Sequence, residues 1–75
     1  MDERKQLRMK MVEYHLSYTW LIGIMRSRGL EVDKSTLSSV VNGTICGPRA
    51  EKIMSLALEI LKDYEQDFVA PYAVD

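Results

Sequence analysis

An all-α fold, a compact bundle of four to five helices, is what this sequence predicts, and three observations predict it. Apolar residues recur at helical spacing in four separate stretches. Most of those stretches are bounded by residues suited to a helix terminus. The 75-residue chain is 47% hydrophobic, enough for one packed domain and no more. A core this small typically leaves only about 3–5 kcal/mol of net stability, so a second subunit or a bound ligand would add usefully to it.

The first helix is predicted over Asp2 to His15, where Leu7, Met11 and Tyr14 share one face and Arg4, Lys5, Arg8 and Lys10 occupy others. Ser17 can cap a second helix whose apolar stripe is Leu21, Ile22 and Met25. That helix should stop near Arg28, because Arg26 and Arg28 suit the negative end of the dipole and Gly29 suits the position just past it. An extended connector, Leu30-Glu31-Val32, leads to Asp33, the expected cap of a third helix from Lys34 to Asn42 that closes on Gly43. Leu37, Val40 and Val41 form a narrow apolar side; the opposite side is nearly all hydroxyls. Pro48 fits the first turn of a fourth helix, with Glu51 where an acid is favoured. Its face is Ile53, Ala57, Ile60, Leu61 and Tyr64, widened by Met54 and Leu58, and it should end near Tyr64. The segment from Glu65 to Asp75 holds Phe68, Val69, Pro71 and Tyr72 without a clear period.

The formal net charge of −1 divides unevenly along the chain. Residues 1–56 carry nine Lys/Arg against six Asp/Glu, a balance of +3; residues 57–75 carry one Lys against five acids, a balance of −4. A mildly basic body therefore bears an acidic end. A single cysteine excludes an internal disulfide, and one histidine without a cysteine cluster argues against a metal site. No signal-peptide pattern and no apolar run of membrane-span length occurs, so a soluble cytoplasmic protein is expected, without a membrane or small-molecule partner and without a cofactor. Glycine-rich phosphate loops, nucleophile elbows and paired carboxylates are missing as well, which argues against an enzyme.

The third helix is the informative element. Ser, Thr and Val are mediocre helix formers, and an ordinary solvent-facing helix carries Glu, Lys, Gln or Ala instead. Short hydroxyl side chains let a helix backbone approach a surface closely while offering donors and acceptors, as the floor of a DNA major groove requires.

Three stretches stand out together: Ser17-Tyr18-Thr19-Trp20-Leu21-Ile22, the run Asp33-Lys34-Ser35-Thr36-Leu37-Ser38-Ser39-Val40-Val41-Asn42-Gly43, and Pro48 opening the fourth helix. On these the sequence resembles the lambda-repressor-like helix-turn-helix family of phage repressors and Cro-type transcription regulators. The likeness covers about residues 5–62. It implies a helix-turn-helix DNA-binding domain over residues 1–64, followed by an acidic and apolar tail over 65–75 as a candidate part of a dimer interface. It further implies that Lys34, Ser35, Thr36 and Ser39 face base edges, while Ser17, Asn42, Arg49 and Lys52 hold phosphates.

The remaining features have plainer readings. Arg26 and Arg28 are expected to form a solvated helix end, and Arg4, Lys5, Arg8 and Lys10 a solvated face rather than an arm on the phosphates. Trp20 is expected in the core, His15 to pack or cap, and Cys46 to serve as a small apolar residue. Met54, Leu58 and Leu61 have two readings of equal standing. They form a homodimer interface together with the tail, or they simply cover the other helices. The expected function is a sequence-specific regulator that binds double-stranded operator DNA as a dimer. The rivals are a protein-interaction module of antirepressor type, and an antitoxin-like partner that binds both DNA and a protein.

Overall fold

The computed structural model describes residues 3–69. They form α1 (Glu3–Glu13), α2 (Tyr18–Ser27), α3 (Lys34–Val41) and α4 (Pro48–Tyr64), and a π-helical turn over Glu65–Val69 continues α4. No strand occurs among the described residues. Asp2, the expected start of the first helix, lies outside them, as do residues 70–75 of the tail with Tyr72.

Local chemistry sets the boundaries. The Ser17 hydroxyl accepts the Trp20 N–H at 3.1 Å, and an Asp33 carboxylate oxygen accepts the Thr36 N–H at 2.7 Å, so each caps the helix that follows. Pro48 occupies the first position of α4, where a missing N–H costs nothing. The first three helices close with one two-bond pattern. Leu16, Leu30 and Thr44 donate back to the carbonyls of Met11, Met25 and Ser39, while His15, Gly29 and Gly43 donate to those of Val12, Arg26 and Val40. Such a Schellman end needs a left-handed residue between the last helical turn and the exit. Gly43 meets this with φ of 82°, whereas His15 adopts 58° despite its Cβ. His15 therefore caps through its backbone; its side chain is exposed rather than packed.

The core draws on every helix. Leu7 and Met11 of α1, Leu21 and Met25 of α2, and Leu37, Val40 and Val41 of α3 meet a long face of α4 built from Ala50, Ile53, Met54, Ala57, Ile60 and Leu61. Val32 plugs the core from the connector, and Trp20 packs half-buried on its edge. Because α4 packs against α1, α2 and α3 alike, its stripe must be wider than a helix with one neighbour needs. This bears on the readings of Met54 and Leu61 in that stripe. Met54 is 6% exposed and Leu61 1%, so both are spent inside their own protomer, and Leu58 is half-buried against the same core. The expected dimer contact through Met54 and Leu61 is corrected accordingly. Cys46 lies exposed in the loop after α3, its Sγ 3.6 Å from the Gly43 carbonyl.

The described part of the tail, Glu65–Val69, is helical although the sequence there has no clear period. Glu65 accepts from Lys10 Nζ at 2.9 Å and from the Tyr14 hydroxyl at 2.6 Å, tying the end of α4 to α1. Tyr64 sits at the centre of an aromatic group, with ring centroids 5.5 Å from Tyr14, 5.6 Å from Trp20 and 5.2 Å from Phe68. The Tyr14 bond, and then Lys10, hold the Glu65 carboxyl below its ordinary 4.5. The same bond pushes the Tyr14 hydroxyl from 10.0 up to about 12. The carboxylate therefore contributes stability above pH 4.5 that is lost as pH falls through its lowered folded value. The phenol contributes below pH 10.0 and loses that contribution as pH rises toward 12. In urea unfolding across this range, Glu65→Gln should destabilise at neutral pH and converge on the parent protein in acid; a constant difference at all pH values would refute the contact.

Candidate nucleic-acid interface

With eight residues, α3 presents two stripes of opposite character. Leu37, Val40 and Val41 stand at i, i+3 and i+4 and are fully buried. Ser35, Ser38, Ser39 and Asn42 stand at i, i+3, i+4 and i+7, which places them along the other side. Ser35 and Asn42 are exposed, Ser38 and Ser39 half-buried, and the Asn42 amide donates to the Ser38 hydroxyl at 3.3 Å. Ser38 is absent from the residues expected to meet DNA. Its i+3 spacing from Ser35 is the signal that would have found it.

The four residues expected at base edges do not share one face. Ser35 and Ser39 lie on the outer stripe, while exposed Lys34 flanks it on the Val41 side. Thr36 falls on the other flank, where it lines an open hollow of about 340 Å³ with Arg26, Glu31, Val32, Asp33 and Arg49. The 100° step per residue accounts for the split, since three consecutive positions sweep more than half a turn.

The phosphate set is also divided. Ser17, Asn42, Arg49 and Lys52 are all exposed. The Ser17 hydroxyl is already engaged as the cap of α2. Arg49, at the second position of α4, shares the hollow with Thr36 and Asp33. The Asp33 carboxyl is held below its ordinary 3.8, chiefly by hydrogen bonding from Thr36 and in smaller part by the Arg49 charge. Lys52, one turn further on, borders a different hollow beside Arg28, Gly29 and Glu59. Thr36 and Arg49 are thus brought together, and Lys52 is not.

Two groups of arginines depart from the solvated roles expected of them. Arg28 pairs with Asp63 at 2.9 Å and with Glu59 at 3.8 Å, so it fastens the end of α2 to α4. Arg4 Nε donates to the Val40 carbonyl and Arg8 Nη1 to the Val41 carbonyl, both at 3.1 Å. Those carbonyls belong to the last turn of α3, which carries no basic residue of its own. Arg26 keeps its solvated place, with only a loose 3.7 Å pairing to exposed Glu31. The pairing also alters how the acidic end of the chain counts. Glu59, Asp63 and Glu65 are each engaged with Arg28 or Lys10, so much of the charge of the C-terminal stretch is compensated locally.

Among the described residues, no three His, Cys, Asp or Glu side chains converge as metal ligands would, and no helix is long and apolar enough to cross a membrane. No protein-family model matches the chain, and no curated protein or solved structure matches it either.

Proposed function

We propose that this chain is a sequence-specific DNA-binding transcription regulator, of the phage or prophage Cro or repressor type, that occupies an operator as a dimer in the cytoplasm. The observation that carries the proposal is the two-sided character of α3. One stripe is sealed into the core, and the other offers only short polar side chains at a spacing that lies along a groove floor. In this reading Ser35, Ser38 and Ser39 approach base edges, Lys34 and Thr36 reach outward from the two flanks, and Arg49 and Lys52 meet phosphates. The name of the class rests on the sequence resemblance alone. A dimer in this proposal uses residues other than Met54 and Leu61, and two reading helices would meet half-sites about one DNA turn, ~34 Å, apart.

A second reading, a protein-interaction module of antirepressor or antitoxin type, is favoured by one observation: Phe68 remains 62% exposed at the acidic end of the molecule. Salt separates the two. Light scattering after gel filtration, with and without a random duplex of about 30 base pairs, should show a complex at low salt that dissolves as salt rises. A chain that ignores the duplex at low salt supports the interaction module instead.

A further inference from the structure

We infer that Arg4 and Arg8 are positioning residues for α3, a two-point clamp that fixes the helix for DNA without touching DNA; the inference rests on the DNA-binding reading. The need for such a clamp begins with the composition of α3. It has eight residues, Lys-Ser-Thr-Leu-Ser-Ser-Val-Val, of which only Lys and Leu are good helix formers. A helix of two turns is far below the length that is stable by itself, so its geometry must be imposed from outside. The start is held by Asp33. At the far end the Gly43 and Thr44 N–H groups close onto the Val40 and Ser39 carbonyls, but the negative end of the dipole has no Lys or Arg from α3 to offset it.

Arg4 and Arg8 supply that missing charge. They stand four residues apart on α1, hence on one face, and each delivers a guanidinium N–H to one of two consecutive carbonyls at 3.1 Å. Bonds from a charged donor are the stronger kind, and two of them resist both sliding and rotation of the short helix. Arg4 passes close over the residue that ends α3: a Cβ at Gly43 would lie 3.6 Å from Arg4 Cδ and Nε, ordinary van der Waals contact. Since α1 is packed on α4 by Leu7 and Met11, the clamp refers the outer stripe of α3 to the rigid body of the domain. Affinity should therefore depend on these arginines even though their charge is turned toward the protein backbone and not toward phosphates.

The test uses Arg4→Met and Arg8→Met, which keep most of the aliphatic stem, singly and together. In hydrogen exchange, the amides of Asn42, Gly43 and Thr44 should exchange about tenfold faster in each variant, while those of Ala57, Ile60 and Leu61 in α4 stay protected. Equal acceleration in α3 and α4 would mean general destabilisation and would overturn the clamp, as would no acceleration. Affinity for the random duplex should fall about tenfold or more in the double variant with the salt slope of the parent chain retained. A slope lower by about 0.9 for each arginine removed would place them on phosphates and overturn the inference. If the parent chain itself binds no duplex, the DNA-binding reading fails and the positioning role for DNA fails with it. The exchange result then separately reports whether the clamp exists.

Discussion

Replacing Leu37 by Ala is expected to lower the unfolding free energy by about 2–5 kcal/mol, the range for truncating a fully buried leucine. The side chain is 0% exposed and sits at the centre of the inner stripe of α3, between Val40 and Val41 on its own helix and the face of α4 opposite. Truncation removes transfer energy and leaves a cavity that helices fixed by caps and by hydrogen bonds between helices can only partly close. A domain of 75 residues has about 3–5 kcal/mol to lose, so the variant should be largely unfolded or close to its midpoint at room temperature. Circular dichroism with urea titration reads this directly, and Ser35→Ala on the exposed stripe of the same helix is the control, expected within about 0.5 kcal/mol of the parent. A loss below about 1 kcal/mol for Leu37→Ala would mean that α3 is not seated on the core as described, and the assignment of its outer stripe would go with it.

That contrast between two stripes of one short helix also shows what the sequence makes legible. Asp33, Gly43 and the triplet Leu37, Val40 and Val41 act within one or two turns, so the cap, the stop and the buried face of α3 could all be read locally. The contacts that hold α3 in place could not. Arg4 and Val40 are 36 residues apart and Arg8 and Val41 are 33 apart, and nothing in the period of α1 points to carbonyls of another helix. Lys10 and Glu65, 55 residues apart, are a similar case, and they order a segment that has no periodicity of its own. The stripe of α4 stays ambiguous in the sequence for a different reason. Its breadth was plain, but breadth alone does not tell whether three neighbours come from the same chain or from a second copy. Packing resolves this, since Met54 and Leu61 already lie beneath the other helices.

The candidate site was legible as an element and blurred as a set of side chains. Of the four residues expected at base edges, Ser35 and Ser39 lie on the outer stripe, whereas Thr36 turns toward Arg49 and Ser38 joins the stripe unannounced. Motif-to-motif transfer assigns positions one at a time, while the helical step decides which of them act together. Arg49 and Lys52 show the same limit, three residues apart on α4 yet bordering separate hollows.

The second large effect follows from that corrected geometry. Lys34→Ala combined with Ser39→Ala should weaken binding to a selected operator by about 2 kcal/mol or more, roughly thirtyfold, with little change in thermal stability, because Lys34 is exposed and Ser39 only half-buried. The two losses differ in kind. Ser39 sits mid-stripe, so its hydroxyl can discriminate bases, and Ser39→Ala alone should relax sequence preference without altering the salt slope. Lys34 flanks the stripe. If its ammonium meets a phosphate, Lys34→Ala lowers the slope by about 0.9 and weakens all sequences alike; if it meets a base edge, the slope holds and preference relaxes at one position. Fluorescence anisotropy at several salt concentrations, with matched and single-mismatch duplexes, distinguishes these. Undiminished affinity in the double variant would remove α3 from the interface altogether, since no docking of its outer stripe in a groove leaves both Lys34 and Ser39 out of contact.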